Sequence, residues 1–173
     1  MTTFWISDTH FGHASILRLC GRKFTDVAEQ DACMIANWNG IVRPTDVVWH
    51  LGDFAYKCKN PASVFSRLQG QKHLVIGNHD HDDVKYLDGW KSVSQMAETK
   101  VDGIRIVMCH YAMRVWNASH HGSLHFYGHS HGNLPGDRQS LDVGVDVWDF
   151  RPVRLEEIQE RLATLPERGG RRP

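Results

Sequence analysis

Short apolar runs, each closed by a glycine, an acid or a histidine, set the rhythm of this chain. Thr2 to Ser7 is bulky and apolar, which suits a buried strand better than a helix. From Asp26 the pattern changes period. Val27, Met34, Ile35, Trp38, Ile41 and Val42 recur at helical spacing, Asp26 and Glu29 form a capping-box pair, and Pro44 marks the end. Val47 to Leu51 and Leu74 to Ile76 read as further strands, with a helix from Pro61 to Leu68 between them. That alternation predicts βαβ units and a parallel sheet.

Past a short helical or irregular stretch near Asp83 to Leu87, the pattern becomes richer in strands. Ser94 to Thr99, Ile104 to Met108, Leu124 to Tyr127 and Ser140 to Val145 are expected strands, the first two joined by an Asp102-Gly103 turn. Leu155, Ile158, Leu162 and Leu165 line one face of a closing helix. One domain over residues 1–165 with a frayed tail over 166–173 is the expected organisation.

Composition narrows the class without naming it. Twenty basic residues offset twenty acidic ones, so whole-chain charge argues for neither nucleic acid nor an anionic membrane. No apolar run approaches the roughly 18 residues that a spanning helix needs. Cys20, Cys33, Cys58 and Cys109 form no C-x-x-C pair, which points to a reducing cytoplasm rather than a disulfide framework. Twelve histidines are many for 173 residues, and about half of them are expected to be scattered surface residues.

The chemistry collects where the strands end. Asp8-Thr9-His10, Gly52-Asp53, Gly77-Asn78-His79-Asp80, His110 and Gly128-His129-Ser130-His131 each follow an apolar run, so one sheet rim can gather them. Asp, Asn and His are oxygen and nitrogen donors for divalent metals, and they are enough here for two ions. Taken singly each motif is weak. Together and in this order, they make a two-metal hydrolase the leading reading.

The ordered set resembles the calcineurin-like metallophosphoesterases, whose pattern runs D-x-H, G-D, G-N-H-(D/E), H and G-H-x-H. The resemblance implies an α/β fold, a two-sheet αββα sandwich with helices outside. It implies Asp8, His10 and His131 on a first metal, Asn78, His110 and His129 on a second, and Asp53 bridging. Manganese leads among the candidate metals, with iron, zinc and nickel also fitting. A metal-bridging hydroxide would attack phosphorus while His79, beside the metals, assists the leaving group and Asp80 orients His79.

Substrate contacts are expected from His13, Arg114 and Asn78, with Trp116 as a stacking surface in the Tyr111 to His125 segment. His50 reads as a packed core histidine. A chain this small shows no cap insertion, so the expected substrate is a phosphodiester of nucleotide or nucleic-acid-end type. A phosphomonoesterase, a protein phosphatase of the same fold, or an inactive metal-binding scaffold are the alternatives. No obligate protein partner follows from the sequence, and no oligomeric state.

Overall fold

The computed structural model describes residues 1–169, so residues 170–173 of the expected tail lie outside the described residues. Two sheets form. One has the order β4-β3-β2-β1-β9, and the other β5-β6-β7-β8. In the first, β1 (Thr3–Ile6), β2 (Val47–His50), β3 (Gln71–Val75) and β4 (Ser92–Ser94) run parallel. The short β9 (Val153–Arg154) pairs antiparallel with β1. In the second, β5 (Met96–Val101) and β6 (Ile104–Cys109) form a hairpin, and β7 (Leu124–Tyr127) and β8 (Ser140–Asp142) extend it in parallel.

Side-chain alternation along β1 explains the layering. Phe4 and Ile6 face the helices α2 (Val27–Ile41), α3 (Pro61–Arg67) and α4 (Asp82–Lys85), where they meet Met34, Trp38, Phe65 and Val84. Trp5 faces the other way, into the layer between the sheets, against Met108 and Phe126. Leu155, Ile158 and Leu162 of α5 (Leu155–Thr164) join that second core. The outer face of the second sheet is covered by the 110–123 segment, which packs Trp116 against His125 at 5.1 Å.

Local chemistry accounts for the boundaries. The Asp26 carboxylate accepts the Glu29 N–H at 2.9 Å and starts α2, while Asn60 does the same for α3 ahead of Pro61. Asp102 and Gly103, at φ 49° and 82°, make the left-handed pair that a tight hairpin requires. Three elements escape the sequence pattern: α1 (Ile16–Leu19), β4 and β9. Each has four residues or fewer, too short to display a period.

Candidate metal centre

Loops leaving β1, β2, β3, β6 and β7 meet at one rim. The first two are zipped together: Asp8 N–H donates to the Gly52 carbonyl at 3.0 Å, and His10 N–H to that of Asp53 at 2.9 Å. Gly128 N–H donates to the His110 carbonyl at 3.0 Å, tying the β7 loop to β6. The motif glycines allow this crowding. A Cβ on Gly77 would lie 2.5 Å from the Asp53 nitrogen, and one on Gly128 would lie 2.7 Å from Ser7 Cβ.

Five of the seven proposed ligands stand in the left-handed region: Asp8, His10, Asp53, His129 and His131, at φ 57°, 48°, 56°, 64° and 47°. Each such position costs about 1–3 kcal/mol for a residue with a Cβ, and such outliers gather at functional sites. The same angles take the last motif out of strand geometry, in which positions two apart would project alike. His129 and His131 do not project alike from a strand. They belong to a tight turn, which Asp142 braces by accepting Ser130 Oγ–H at 2.6 Å and Gly132 N–H at 3.0 Å.

Two groups of donors result from the motif residues, and Cys20, His131 and Asp146 form a third behind them. Atoms of Asp8, His10 and His131 lie within 4.8 Å of one another, and so do atoms of Asp53, His110 and His129. Asp53 Oδ2 sits between the groups, 3.5 Å from His10 Nε2 and 3.6 Å from His110 Nε2. Asn78 Oδ1 lies 3.1 Å from His110 Nε2. Metal bonds of about 2.0–2.2 Å separate neighbouring donors by roughly 3.0–3.5 Å, close to these spacings.

Protonation supplies an independent test of fit. Burial lowers the pKa of His110, so its ring is neutral, and the single proton on Nδ1 is spent on the Leu51 carbonyl at 2.7 Å. The Nε2 lone pair therefore faces two oxygen acceptors with no proton between them. His10 is likewise held neutral by burial, and its buried Nε2 has no hydrogen-bond partner. Burial drives the Asp8 carboxyl well above the usual range, although His131 opposes this. Ring nitrogens without protons, beside a carboxyl whose charge burial leaves undercompensated, suit a cation, and these residues fit a divalent pair.

His131 differs from the other rings. Burial opposes its charge, but Asp146, Cys20 and Asp8 together raise it to about 10. Its Nδ1 donates to Asp146 Oδ2 at 2.7 Å, which leaves Nε2 as the atom for a metal. Arg22 holds Asp146 through two further bonds, Nε to Oδ1 at 2.7 Å and Nη2 to Oδ2 at 2.8 Å. Neither Arg22 nor Asp146 was visible as a site residue. They lie 124 positions apart and belong to none of the motifs.

Other expected residues divide. His79 stands beside the first group, its ring 5.3 Å from that of His10 and 4.5 Å from Tyr56, and its N–H donates to Asp53 Oδ1 at 2.8 Å. Asp80 does not orient it. Both Asp80 oxygens accept backbone N–H groups, from Asp53 at 2.9 Å, Gly77 at 2.8 Å and Phe54 at 2.8 Å, so this carboxylate fastens the β2 and β3 loops together. His13 packs against His10, with Nδ1 3.3 Å from the His10 Nδ1.

Arg114 is exposed and lines a cavity of about 780 Å³ with Trp116, Tyr127, Leu134 and Gln139, a cavity that none of the proposed metal ligands lines. Trp116 is not open for stacking. It is buried, donates Nε1–H to the Ser123 carbonyl at 3.1 Å, and lies under the Arg168 guanidinium at 4.0 Å. His50 is a buried core histidine, bonded to Thr9 Oγ1 at 2.9 Å. Tyr111, absent from the expected site, stands half-exposed with its ring 4.8 Å from His129.

Comparison with known proteins agrees with this geometry. The model of the calcineurin-like phosphoesterase superfamily domain matches residues 1–143. An uncharacterized protein of Methanocaldococcus jannaschii is 30% identical over 165 residues, covering 90% of this chain and 88% of its own. The gene 66 protein of Mycobacterium phage L5 is 25% identical over 203 residues, covering 97% of each. In three dimensions the chain is similar in fold to a protein of unknown function from Aquifex aeolicus. The TM-score is 0.74 at 22% identity, covering 92% of this chain and 98% of that one. With its clustered Asp, Asn and His donors falling on the strand ends of the matched region, the chain belongs to the calcineurin-like phosphoesterase superfamily and is a metal-dependent phosphoric ester hydrolase.

Proposed function

We propose that the enzyme is a phosphodiesterase working with two divalent cations, manganese first among them, on a nucleotide or nucleic-acid end. The observation that carries the two-cation reading is Asp53 Oδ2, placed between His10 Nε2 and His110 Nε2 at 3.5 and 3.6 Å, with both rings held neutral by burial. Asp8, His10 and His131 would hold one ion, and His110, His129 and Asn78 the other, with Asp53 shared. When bound, such a pair supplies Lewis acidity, acidifying water and neutralising phosphoryl charge.

The protein's own groups do the rest. His79, anchored through its N–H to Asp53, offers a ring nitrogen to protonate the departing oxygen, a role worth roughly 100- to 10,000-fold. Tyr56 and His13 wall the His79 side, with ring centroids 4.7 Å apart. Tyr111 walls the side of His129 and Asn78. The exposed Tyr111 ring and the half-buried Tyr56 ring beside the clustered donors suit a substrate with a planar base. The buried Arg22 guanidinium bonds inward and offers nothing to substrate.

No helix among the described residues is long and apolar enough to cross a membrane, and the free cysteines suit a cytoplasmic setting. The test is a Mn²⁺-loaded panel of bis(p-nitrophenyl) phosphate, p-nitrophenyl phosphate, 2′,3′-cyclic nucleotides and dinucleoside polyphosphates. Diester turnover is expected to lead. Monoester turnover far above it would make this a phosphomonoesterase, and no turnover with two ions bound would leave a metal-binding scaffold.

A further inference from the structure

We propose that Arg22 is a positioning residue that builds the Asp8–His10–His131 half of the centre and leaves the other half untouched. The inference rests on the two-cation reading. Gly21, at φ 64°, turns the chain out of α1, and Arg22 N–H closes that turn on the Leu17 carbonyl at 2.8 Å. The side chain then points inward and is buried, with the guanidinium carbon 5.7 Å from the centre of the Phe150 ring.

All five guanidinium N–H groups find acceptors. Nε and Nη2 grip the two Asp146 oxygens at 2.7 and 2.8 Å. Nη2 also donates to the Asp8 carbonyl at 2.7 Å. Nη1 donates to the Thr9 carbonyl at 3.2 Å and to Gln30 Oε1, itself fully buried, at 2.9 Å. One side chain thereby reaches the support of all three ligands. It clamps the left-handed Asp8-Thr9-His10 turn from behind, and through Asp146 it fixes which nitrogen of His131 faces the centre. Lys cannot replace it, because three donors on a single point cannot serve a carboxylate edge and two carbonyls together.

The other half is braced by a different group, the buried Asp80 carboxylate, which accepts the Asp53 N–H at 2.9 Å and the Gly77 N–H at 2.8 Å. His110 is held by the Leu51 carbonyl, and Asp53 by the His79 N–H. Arg22 bonds to neither of them, nor to His129. A residue that only staples the fold would lower thermal stability and weaken both halves alike. A positioning residue for one half separates them.

The experiment counts bound Mn²⁺ and measures both affinities by calorimetry and mass spectrometry of metal content, in the wild type, Arg22→Lys, Asp146→Asn, His131→Ala and His129→Ala. Two equivalents are expected in the wild type. Arg22→Lys and Asp146→Asn should each weaken one equivalent roughly 10- to 100-fold, the usual cost of losing a group that orients a ligand. The affected equivalent should be the one that His131→Ala removes, and the one that His129→Ala removes should stay within about twofold. In a His131→Ala background Arg22→Lys should add nothing further.

Two equivalents at wild-type affinity in both variants, or equal weakening of both, would overturn the assignment to Arg22 while leaving the two-cation reading standing. A wild type that binds no second equivalent would overturn that reading itself. If Arg22→Lys fails to fold, Arg22→Gln, which keeps an N–H₂ donor without the fork, is read in its place against the same two equivalents.

Discussion

Asp8, His10 and His131 sit largely below the surface, and the ring of His131 is tied through Asp146 to a buried guanidinium, whereas Asp53 and His110 share their half with an exposed His129 and an exposed Asn78. The residue types on the two sides are nearly the same. Their surroundings are not. One half is enclosed by main-chain carbonyls and an ion pair, so its ligands are fixed before any cation arrives. The other opens toward Tyr111 and solvent, where a substrate oxygen or an exchanging ion can enter. Similar donors therefore sit in unlike surroundings: two of each three are buried, but the third is a half-buried His131 tied to Asp146 on one side and an exposed His129 on the other.

The hardest blow to that comparison is Asp53→Asn, which removes the carboxylate oxygen between the halves. Both equivalents of metal should weaken, and turnover should fall about 1,000-fold, the equivalent of roughly 4 kcal/mol. Thermal melting gives a second readout. Mn²⁺ at 100 times its dissociation constant stabilises a binding protein by about 2.7 kcal/mol, and the variant should lose most of that shift. A normal shift would show that Asp53 is not shared.

Next in size is His79→Ala. Activity on diesters with poor leaving groups should drop by roughly 100- to 10,000-fold, while p-nitrophenolate esters are spared and both ions stay bound. Equal loss on both substrates would remove the proton-donor role.

A finer division comes from His131→Ala and His129→Ala. Each should cost one equivalent, but the remaining ion in His129→Ala, held by the enclosed half, should exchange more slowly than the one left in His131→Ala. Equal exchange rates would erase the difference in surroundings.

The smallest effect belongs to a carboxylate outside both halves. Burial opposes the charge of Asp46, but N–H bonds from Thr2 at 2.7 Å and Arg43 at 2.9 Å outweigh it and lower its pKa below the usual value. A depressed carboxylate stabilises the fold above its unfolded pKa, and that contribution disappears as pH falls through the lower folded value. Asp46→Asn should therefore lower the melting temperature by a few degrees at pH 7, converge with the wild type near pH 2, and leave both metal affinities unchanged. A change in either affinity would mean that global stability, not local geometry, sets the difference between the halves.

Much of this was legible in the chain. The apolar runs before Asp8, Asp53 and Asn78 place those residues past strand ends, because a buried parallel strand must be apolar and must end where polar loops begin. Asp102-Gly103 announced its hairpin for an equally local reason. Asp80 shows where such reading stops. Its position beside His79 suggested a partner for that ring, but the carboxylate instead serves three backbone N–H groups from two loops, which neighbours in sequence do not reveal. Arg114 and Trp116 lie away from the gathered donors for a similar reason. Their loop turns onto the outer face of the second sheet rather than toward the rim.

The sequence by itself determined which donors exist and that strand ends deliver them, since both depend on residue type and on the period of a few neighbouring positions. Only the tertiary structure decided which donors share a half, which lie deep, and that Arg22 and Asp146 stand behind one half alone. Those properties depend on contacts across more than a hundred residues, and on left-handed backbone at Asp8, His10, Asp53, His129 and His131, which Asp and His tolerate better than most residues but which tertiary contacts must impose.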